Sequence, residues 1–271
     1  MTRFVVVPQW QGSPAARAMQ LVDGAEAIAG DLPRSACVRV DVPLEAGDAL
    51  GTRVHRLSTL QQTRARIDDL LASETDRIVI VGGDCSVALG GIAHAAARNE
   101  RLGLVWFDAH GDLHTPDSSV SGAFAGMALR AALGDGESSL AVSPGIAPSR
   151  TVLVGARDLD VAESAFLADT PLARLDAVDL ADTALADAVS QTDADAVWVH
   201  LDLDVLDPAA ITGLTAASPF GADPARIVAA LAALRARVPL AGASITGFAP
   251  ASAAAAVDDL GTILRLVGAL A

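Results

Sequence analysis

The stretch Leu102-Gly103-Leu104-Val105-Trp106-Phe107-Asp108-Ala109-His110-Gly111-Asp112-Leu113-His114 joins a continuous apolar run to two aspartates and two histidines. The apolar half is typical of a strand that is covered on both faces of a parallel sheet. On an extended chain, residues two apart share a face, so the four polar side chains can converge at the end of this strand. Carboxylate oxygens and imidazole nitrogens together favour a divalent transition metal, whereas a single such residue would indicate only a polar loop.

Similar apolar runs recur along the chain and alternate with Ala- and Leu-rich segments. The predicted strands are Arg3–Val7, Cys37–Val40, Arg77–Val81, Leu102–Phe107, Thr151–Val154, Leu172–Leu175, Ala196–Leu203 and Leu240–Phe248. Helices are predicted near residues 15–29, 55–72, 86–99, 124–134, 160–168, 180–190, 223–237 and 254–270. Strand–helix–strand repetition predicts right-handed crossovers and an α/β fold around a parallel sheet.

Composition narrows the class of protein. The 271 residues, 52% of them hydrophobic, suffice for one large domain, and no linker-like segment divides residues 1–271. The net charge is -14 and every basic residue is Arg, which argues against nucleic acid and anionic membranes as partners and excludes a Schiff-base lysine. Two cysteines make no disulfide framework, and no apolar run reaches the roughly 18 residues that span a bilayer. The first strand stops too soon for a signal peptide, so we expect a soluble cytoplasmic protein.

Two more predicted strands end in polar motifs, and ligands gather at the carboxyl ends of strands in such sheets. Arg77–Val81 runs into Gly82-Gly83-Asp84-Cys85-Ser86. The strand that begins at Ala196 runs into His200-Leu201-Asp202-Leu203-Asp204-Val205-Leu206-Asp207-Pro208. Asp202 and Asp204 share one face of a buried strand, where two carboxylates repel each other and lose hydration. A bound cation is the simplest way to offset both costs.

The alternative for these aspartates is a set of helix caps or loop residues, which suits Asp207 before Pro208 better than Asp202. Together with Asp108, His110 and Asp112, the strand ends supply five ligand-type side chains. Four carboxylates carry too much negative charge for one closed zinc site. They suit two ions that share bridging carboxylates and a bridging water.

Three motifs in order carry a resemblance to a known family: Gly-Gly-Asp-Cys-Ser from Gly82, Asp-Ala-His-Gly-Asp from Asp108, and Asp-Leu-Asp-Val-Leu-Asp-Pro from Asp202. They resemble the GGDHS, DAHxD and SxDxDxxDP-like patterns of the arginase/agmatinase family of ureohydrolases. The resemblance implies a three-layer α/β/α fold with a central, mostly parallel sheet of about eight strands. It also implies a binuclear manganese centre, a small guanidino amino acid as substrate and a homo-oligomeric assembly.

The resemblance also assigns the metal ligands. Two Mn²⁺ ions per subunit are expected at Cys85, Asp108, His110, Asp112, Asp202 and Asp204. By the resemblance, Asp108 and Asp202 bridge the ions, and His110 and Asp204 bind the second ion. Asp112 binds the first ion and receives the proton of the attacking hydroxide.

Cys85 stands where the family has a histidine on the first ion. Thiolate prefers softer ions than Mn²⁺, so this side of the centre is expected to bind Mn²⁺ weakly or to admit another ion. The alternative is that Cys85 is a small buried residue without metal contact.

Substrate residues are implied by a second segment and a loop. Arg157-Asp158-Leu159-Asp160-Val161-Ala162-Glu163 resembles the RDxDxxE segment with which arginases hold a substrate's α-amino group, through Asp160 and Glu163. The alternative is a pair of acids favoured by the helix macrodipole. The loop at residues 112–127 resembles the family's substrate loop and keeps Ser121, which is expected to hold the substrate carboxylate.

Three family side chains are replaced in this region. His114 and Ala123 stand where the family has substrate-binding asparagines, and Ala125 replaces the histidine that shuttles protons. His114 is therefore a candidate either for proton transfer or for substrate contact. His200 is expected behind the metal ligands, as a hydrogen-bonding partner.

The family glutamate that faces the guanidinium falls at Gly247. Without this glutamate a charged guanidinium would lack a buried partner, whereas a largely neutral group needs none. The change therefore argues against a charged guanidinium as the substrate group. N-hydroxyguanidine is such a group, which predicts Nω-hydroxy-L-arginine as substrate and hydroxyurea and L-ornithine as products. A conventional arginase that tolerates Cys85 is the first alternative, and a degenerate, non-catalytic binding subunit is the second.

Overall fold

A computed structural model describes residues 2–178 and 180–271. The strands are β1 Thr2–Val7, β2 Cys37–Arg39, β3 Arg77–Gly82, β4 Leu102–Phe107, β5 Thr151–Val154, β6 Ala173–Leu175, β7 Ala196–Asp202 and β8 Leu240–Thr246. The α-helices are α1 Gln20–Gly30, α2 Leu57–Leu71, α3 Ala88–Ala96, α4 Ala128–Ala132, α5 Val161–Ala168, α6 Ala184–Ser190, α7 Pro224–Arg235 and α8 Ala253–Leu270. Each predicted strand and helix is present.

The eight strands form one sheet in the order β2-β1-β3-β8-β7-β4-β5-β6, and every adjacent pair is parallel. This confirms the predicted parallel α/β fold. The four strands β3, β8, β7 and β4 are neighbours at the centre of the sheet. Their carboxyl ends therefore meet along one edge, which places the three polar motifs side by side.

Helices cover both faces of the sheet. Strand residues alternate between the two layers: Ile80 packs in the core that contains α2 and α3, and Val79 packs in the core that contains α7 and α8. On β4, Trp106 packs in the first of these cores and Phe107 in the second, and neither side chain is exposed. Full burial of a side chain of this kind stabilises the fold by about 1.5–3 kcal/mol, so the continuous apolar strands build two cores and a three-layer architecture.

Local sequence explains most element boundaries. Asp223 caps α7 through a bond from Ala225 N, with Pro224 at the first helical position, as predicted from the sequence. α1 starts at Gln20, later than the predicted residue 15, because residues 16–19 form turns. Of the helices in the described parts of the chain, none combines the length and the apolar character that crossing a membrane requires.

β7 and β8 end at Asp202 and Thr246, short of their predicted ends at residues 203 and 248. The Asp202 carboxylate accepts the Asp204 N–H at 2.9 Å and turns the chain after β7. Gly247 has φ of +85°, which ends β8 because a strand requires negative φ. The two strands therefore stop where their candidate site residues begin.

Candidate metal centre and substrate cleft

A cleft of about 210 Å³ lies at the carboxyl ends of the central strands. Its lining includes all six predicted metal ligands, which are Cys85, Asp108, His110, Asp112, Asp202 and Asp204. His114 and Glu163 also line it. The parallel sheet thus gathers side chains that are as much as 119 residues apart in sequence, from Cys85 to Asp204.

One half of the cluster surrounds Cys85. Its Sγ lies 3.0 Å from Asp202 Oδ2 and 3.9 Å from Asp108 Oδ2. Burial and the neighbouring Asp202 raise the pKa of the Cys85 thiol well above its usual value. Without a cation the thiol is therefore held protonated, and a cation at this position would favour the thiolate.

The other half surrounds His110. Its Nδ1 lies 2.9 Å from Asp204 Oδ2 and 3.3 Å from Asp108 Oδ1. Burial lowers the pKa of His110, but the hydrogen bonds to Asp108 and Asp204 prevail and raise it to about 12. His110 thus lies between two carboxylates that would share a cation with it.

Asp108 belongs to both halves, whereas Asp112 lines the same cleft without belonging to either close group of donor atoms among the described residues. Asp108 accepts a bond from Trp106 Nε1 at 3.2 Å and from the His110 N–H at 2.7 Å, so both its oxygens face a candidate ligand group. Asp112 has φ of +53° and a buried carboxylate, whose Oδ2 has no hydrogen-bond partner among the described residues. A buried carboxylate oxygen without a partner is costly, and a metal ion or a substrate proton would satisfy it.

The residues present fit divalent cations. Burial raises the pKa of Asp112, Asp202 and Asp204, and neighbouring carboxylates raise it further; for Asp202 the value is about 7. Cations between these groups would remove the repulsion and complete the open position at Asp112 Oδ2. The donors form two overlapping groups, one with Cys85 and one with His110, and Asp108 belongs to both.

His200 lies closer to the Cys85 group than the sequence suggests. Its ligand atom lies within 4.8 Å of those of Cys85, Asp108 and Asp202. The ring stacks on Trp106 with centroids 3.7 Å apart, and its Nδ1 lies 2.9 Å from Ser244 Oγ. Complete burial lowers the pKa of His200 to about 3, so the imidazole is neutral at physiological pH.

Three of the predicted substrate residues, His114, Asp160 and Glu163, form a second group, and two of them, His114 and Glu163, line the cleft. His114 Nε2 lies 3.3 Å from Asp160 Oδ2, and its Nδ1 lies 3.1 Å from Ser118 Oγ. Asp160 caps α5, and together with Glu163 it forms a capping box: each side chain accepts the other residue's backbone N–H. Glu163 also accepts the Leu113 N–H at 3.3 Å, which ties α5 to the ligand loop.

Ser121 is placed differently from these residues. It is exposed, its Oγ accepts the Ala123 N–H at 3.2 Å, and it is not part of the described cleft lining. Ala125 and Gly247, where the family has charged or ionisable side chains, do line the cleft. The cleft lining therefore has no ionisable side chain at these two positions.

The loop after β1 contributes to the cleft and was not predicted. Ser13 and Pro14 line it, and Gly12 donates its N–H to Asp84 at 2.9 Å. A Cβ at Gly12 would lie 2.3 Å from Asp84 Oδ1, so this close approach requires glycine. The predicted parallel sheet could have indicated this contribution, because the carboxyl end of β1 lies at the same edge as those of the other strands.

Comparison with known proteins agrees with this architecture. A profile of the arginase family matches residues 17–263. The arginase of Bacillus caldovelox is 35% identical over 204 residues, which cover 68% of this chain and 64% of that protein. Among solved structures, Entamoeba histolytica arginase in complex with L-ornithine superposes with a TM-score of 0.86 at 23% identity, over 99% of this chain and 97% of that one.

The native structure of the Bacillus caldovelox arginase superposes with a TM-score of 0.81 at 25% identity, over 99% of this chain and 97% of that one. The profile match covers most of the sequence, and the fold agreement covers nearly all of it. This chain belongs to the arginase family.

Proposed function

We propose that this protein is a binuclear manganese hydrolase that cleaves Nω-hydroxy-L-arginine to hydroxyurea and L-ornithine. Membership of the arginase family supports hydrolysis of a guanidino group. The acids Asp160 and Glu163 at the mouth of the cleft support an amino-acid substrate. The cluster of ligand-type side chains in the cleft supports a metal-assisted reaction.

The choice of a hydroxyguanidine rests on Gly247. It lines the cleft beside the metal cluster, has φ of +85°, and a Cβ there would lie 2.2 Å from Asp202 Oδ1. An acidic side chain at this position would therefore require Asp202 to move. A charged guanidinium would lack the partner that the family glutamate supplies, whereas a hydroxyguanidine, made less basic by its oxygen, needs none.

The chain also resembles an arginase-like hydrolase of D-cycloserine biosynthesis, in its length and in the cysteine at the histidine-ligand position. We place this protein in the same pathway as part of the proposal. The burial of Cys85 against Asp202 supports a role for that cysteine in the metal centre.

The metal would be held in two overlapping sites. Cys85, Asp108, Asp112 and Asp202 would hold the first ion, and Asp108, His110, Asp202 and Asp204 would hold the second. When bound, a pair of divalent ions supplies a water of lowered pKa, which is a nucleophile at neutral pH.

Asp112 carries the proton transfer in this mechanism. A water that has given up its first proton attacks the guanidine carbon and forms a C–O bond. That first proton ends on the hydroxyimino nitrogen, and the bond from the carbon to the side-chain nitrogen of ornithine breaks. Asp112 takes the remaining proton of the water and gives it to the departing amine. A buried carboxylate with a raised pKa and one oxygen without a partner among the described residues is suited to hold that proton.

His114 is the second proton-transfer candidate. Its ring is held between Ser118 Oγ and Asp160 Oδ2, and its backbone N–H bonds to the carbonyl of Gly126, next to Ala125. An imidazole thus stands beside the position where the family histidine has become alanine. We assign His114 to proton exchange between the cleft and solvent.

The amino-acid end of the substrate is assigned to α5 and its neighbours. Asp160 is 46% exposed on its side chain and is the more accessible carboxylate for an α-amino group. Glu163 is buried, and both of its oxygens accept backbone N–H groups, so it orients the site. Ser121 is assigned to the substrate carboxylate, which requires its loop to approach the cleft.

The deciding experiment is incubation of the purified protein and Mn²⁺ with Nω-hydroxy-L-arginine, with chromatographic detection of hydroxyurea and L-ornithine. Paired kinetics with L-arginine test the substrate choice. A clear preference for L-arginine would make the protein a conventional arginase, which is the name of the two solved structures compared above.

A degenerate binding subunit is the other alternative, motivated by the changes at Cys85, Ala125 and Gly247. Metal analysis of the purified protein separates it from an enzyme. Less than one ion per chain after loading with Mn²⁺, together with no turnover of either substrate, would favour the binding subunit.

A further inference from the structure

Arg157 lies in the loop from β5 to α5 and donates to backbone carbonyls from three separate segments. The acceptors are Gly155 at 3.0 Å and Val205 at 3.3 Å from Nη1, Asp204 at 2.9 Å, Leu206 at 3.4 Å and Ser218 at 2.7 Å from Nη2, and Pro219 at 3.0 Å from Nε. A planar guanidinium with five N–H donors can serve several carbonyls at once, whereas a lysine has three donors on one atom.

The same residue is bonded to the first ligand loop through its backbone. The N–H groups of Arg157 and Asp158 both donate to the Ala109 carbonyl, at 2.8 and 2.9 Å. Ala109 lies between Asp108 and His110, and its own N–H donates to Asp204 Oδ1 at 2.9 Å. Arg157 therefore connects the loop after β4 to the turn after β7, and these two segments carry four of the six candidate ligands.

The third segment reaches the mouth of the cleft. Thr215 and Ala216 line the cleft, and the carbonyls of Ser218 and Pro219 that follow them point at Arg157. The guanidinium of Arg157 therefore bonds to both the turn after β7 and the loop at 215–219, while its backbone bonds to the loop after β4. Buried carbonyl groups need hydrogen-bond partners, so removal of the guanidinium would free the turn at Asp204 and the loop at 215–219 together.

We propose that Arg157 is a positioning residue for the second metal site: its guanidinium fixes the backbone at residues 204–206, and thereby Asp204, and couples this turn to the loop at 215–219. The guanidinium also places a positive charge near Asp204 and Asp108. Arg157 is not among the candidate ligands and is not part of the described cleft lining. This inference rests on the proposed metal centre.

The test compares Arg157→Lys and Arg157→Gln with the unmodified protein. Mn²⁺ affinity and stoichiometry are measured by calorimetry and metal analysis, and the coupling between two ions by electron paramagnetic resonance. We expect both variants to lose about 10- to 100-fold in affinity for the second ion and to lose the spectrum of a coupled pair, as for other residues that orient metal ligands. Lysine keeps the positive charge but lacks the planar set of N–H donors of the guanidinium. If Arg157→Lys also loses the spectrum of a coupled pair, the hydrogen-bond geometry and not the charge is the cause of the loss.

The matched control is Arg226→Gln. Arg226 is exposed on α7 and, among the described residues, donates to one carbonyl, that of Val178 at 3.1 Å. It should leave Mn²⁺ affinity and the spectrum unchanged. If Arg157→Lys matches the unmodified protein in both, the positioning role is wrong while the metal centre stands. If the unmodified protein itself binds fewer than two ions, the proposed binuclear centre is wrong, and the positioning role that rests on it is wrong as well.

A measurement on the unmodified protein covers the case in which the Arg157 variants do not fold. Hydrogen exchange is followed at peptides 203–206 and 215–220 with and without Mn²⁺. We expect loading to slow exchange in both peptides, since the ion at Asp204 and the loop at Ser218 share one guanidinium. Protection of 203–206 alone would overturn the coupling.

Discussion

In the proposed metal centre, Cys85 is the residue that we expect to set the metal preference. Its Sγ lies 3.0 Å from Asp202 Oδ2, in the position where the family places a histidine. Cys85→His should tighten Mn²⁺ binding by about tenfold or more and raise activity on L-arginine, because imidazole suits Mn²⁺ better than thiolate does. Calorimetry and paired kinetics measure both effects. If neither quantity changes, Cys85 is not a ligand.

Gly247 is constrained by conformation as well as by space. Gly247→Ala should lower the free energy of unfolding by more than about 1–2 kcal/mol, which is the usual cost of left-handed backbone for an L-residue, because its Cβ also meets Asp202. Chemical denaturation measures it.

Gly261→Ala is the matched control. Gly261 lies within α8, and a Cβ there has no neighbour within 4 Å among the atoms outside its own helix. This change should raise the free energy of unfolding by about 0.5–1 kcal/mol, because alanine loses less entropy than glycine in a helix. A stability loss of the same size in both variants would contradict the special role of position 247.

At the scale of elements, the first turn of α5 serves both folding and the proposed substrate site. Asp160 caps the helix through the Glu163 N–H at 2.9 Å, and its other oxygen faces His114. Asp160→Asn should keep stability within a few tenths of a kcal/mol, because asparagine caps as well as aspartate, and should raise KM by removing the charge that holds the α-amino group.

Asp160→Ala separates the two roles. It should raise KM in the same way and also cost about 1 kcal/mol of stability, because alanine cannot cap. Thermal or chemical denaturation and steady-state kinetics give the two numbers for each variant. An unchanged KM in Asp160→Asn would remove this residue from the substrate site and leave it as a helix cap.

The secondary structure was largely predictable, since it follows from local properties. Strands such as Leu102–Phe107 and Thr151–Val154 are continuous apolar runs, and their observed bounds are those predicted. Helix starts were harder where no cap is present: α1 has no side-chain cap and begins at Gln20. The predicted ends of β7 and β8 lay beyond the observed ends, because the turn at Asp202 and the φ of Gly247 depend on neighbours in the sheet.

At the scale of the whole molecule, the buried acids make stability depend on pH and metal. In the metal-free protein the pKa of Asp202 is raised to about 7 and that of His110 to about 12. Both groups hold protons more tightly when folded than when unfolded, so the stability they contribute falls as pH rises through their folded pKa values. His200, with a pKa lowered to about 3, is neutral in the folded protein, and its opposing slope fades above about pH 7.5, where the unfolded imidazole has also lost its proton.

We therefore expect Tm of the chelator-treated protein to fall between pH 6.5 and 8.5. Mn²⁺ should raise Tm more at pH 8.5 than at pH 6.5, because ions replace the protons that the cluster otherwise holds. Thermal melts with chelator and with Mn²⁺, at matched ionic strength, check this. A metal-induced rise that is larger at the lower pH would contradict the assignment of these acids as ligands.

The sequence by itself determined the strands, the order of the motifs and the residue types at each strand end, because apolar periodicity and ligand chemistry are local properties. Only the tertiary structure decided which distant groups meet: Cys85 with Asp202, His114 with Asp160, and Arg157 with the turn after β7. These contacts depend on strand order and register, which are set by packing of the whole sheet between two helical layers. The backbone at Asp112 and Gly247 is likewise held in the left-handed region by that packing, and no local sequence pattern encodes it.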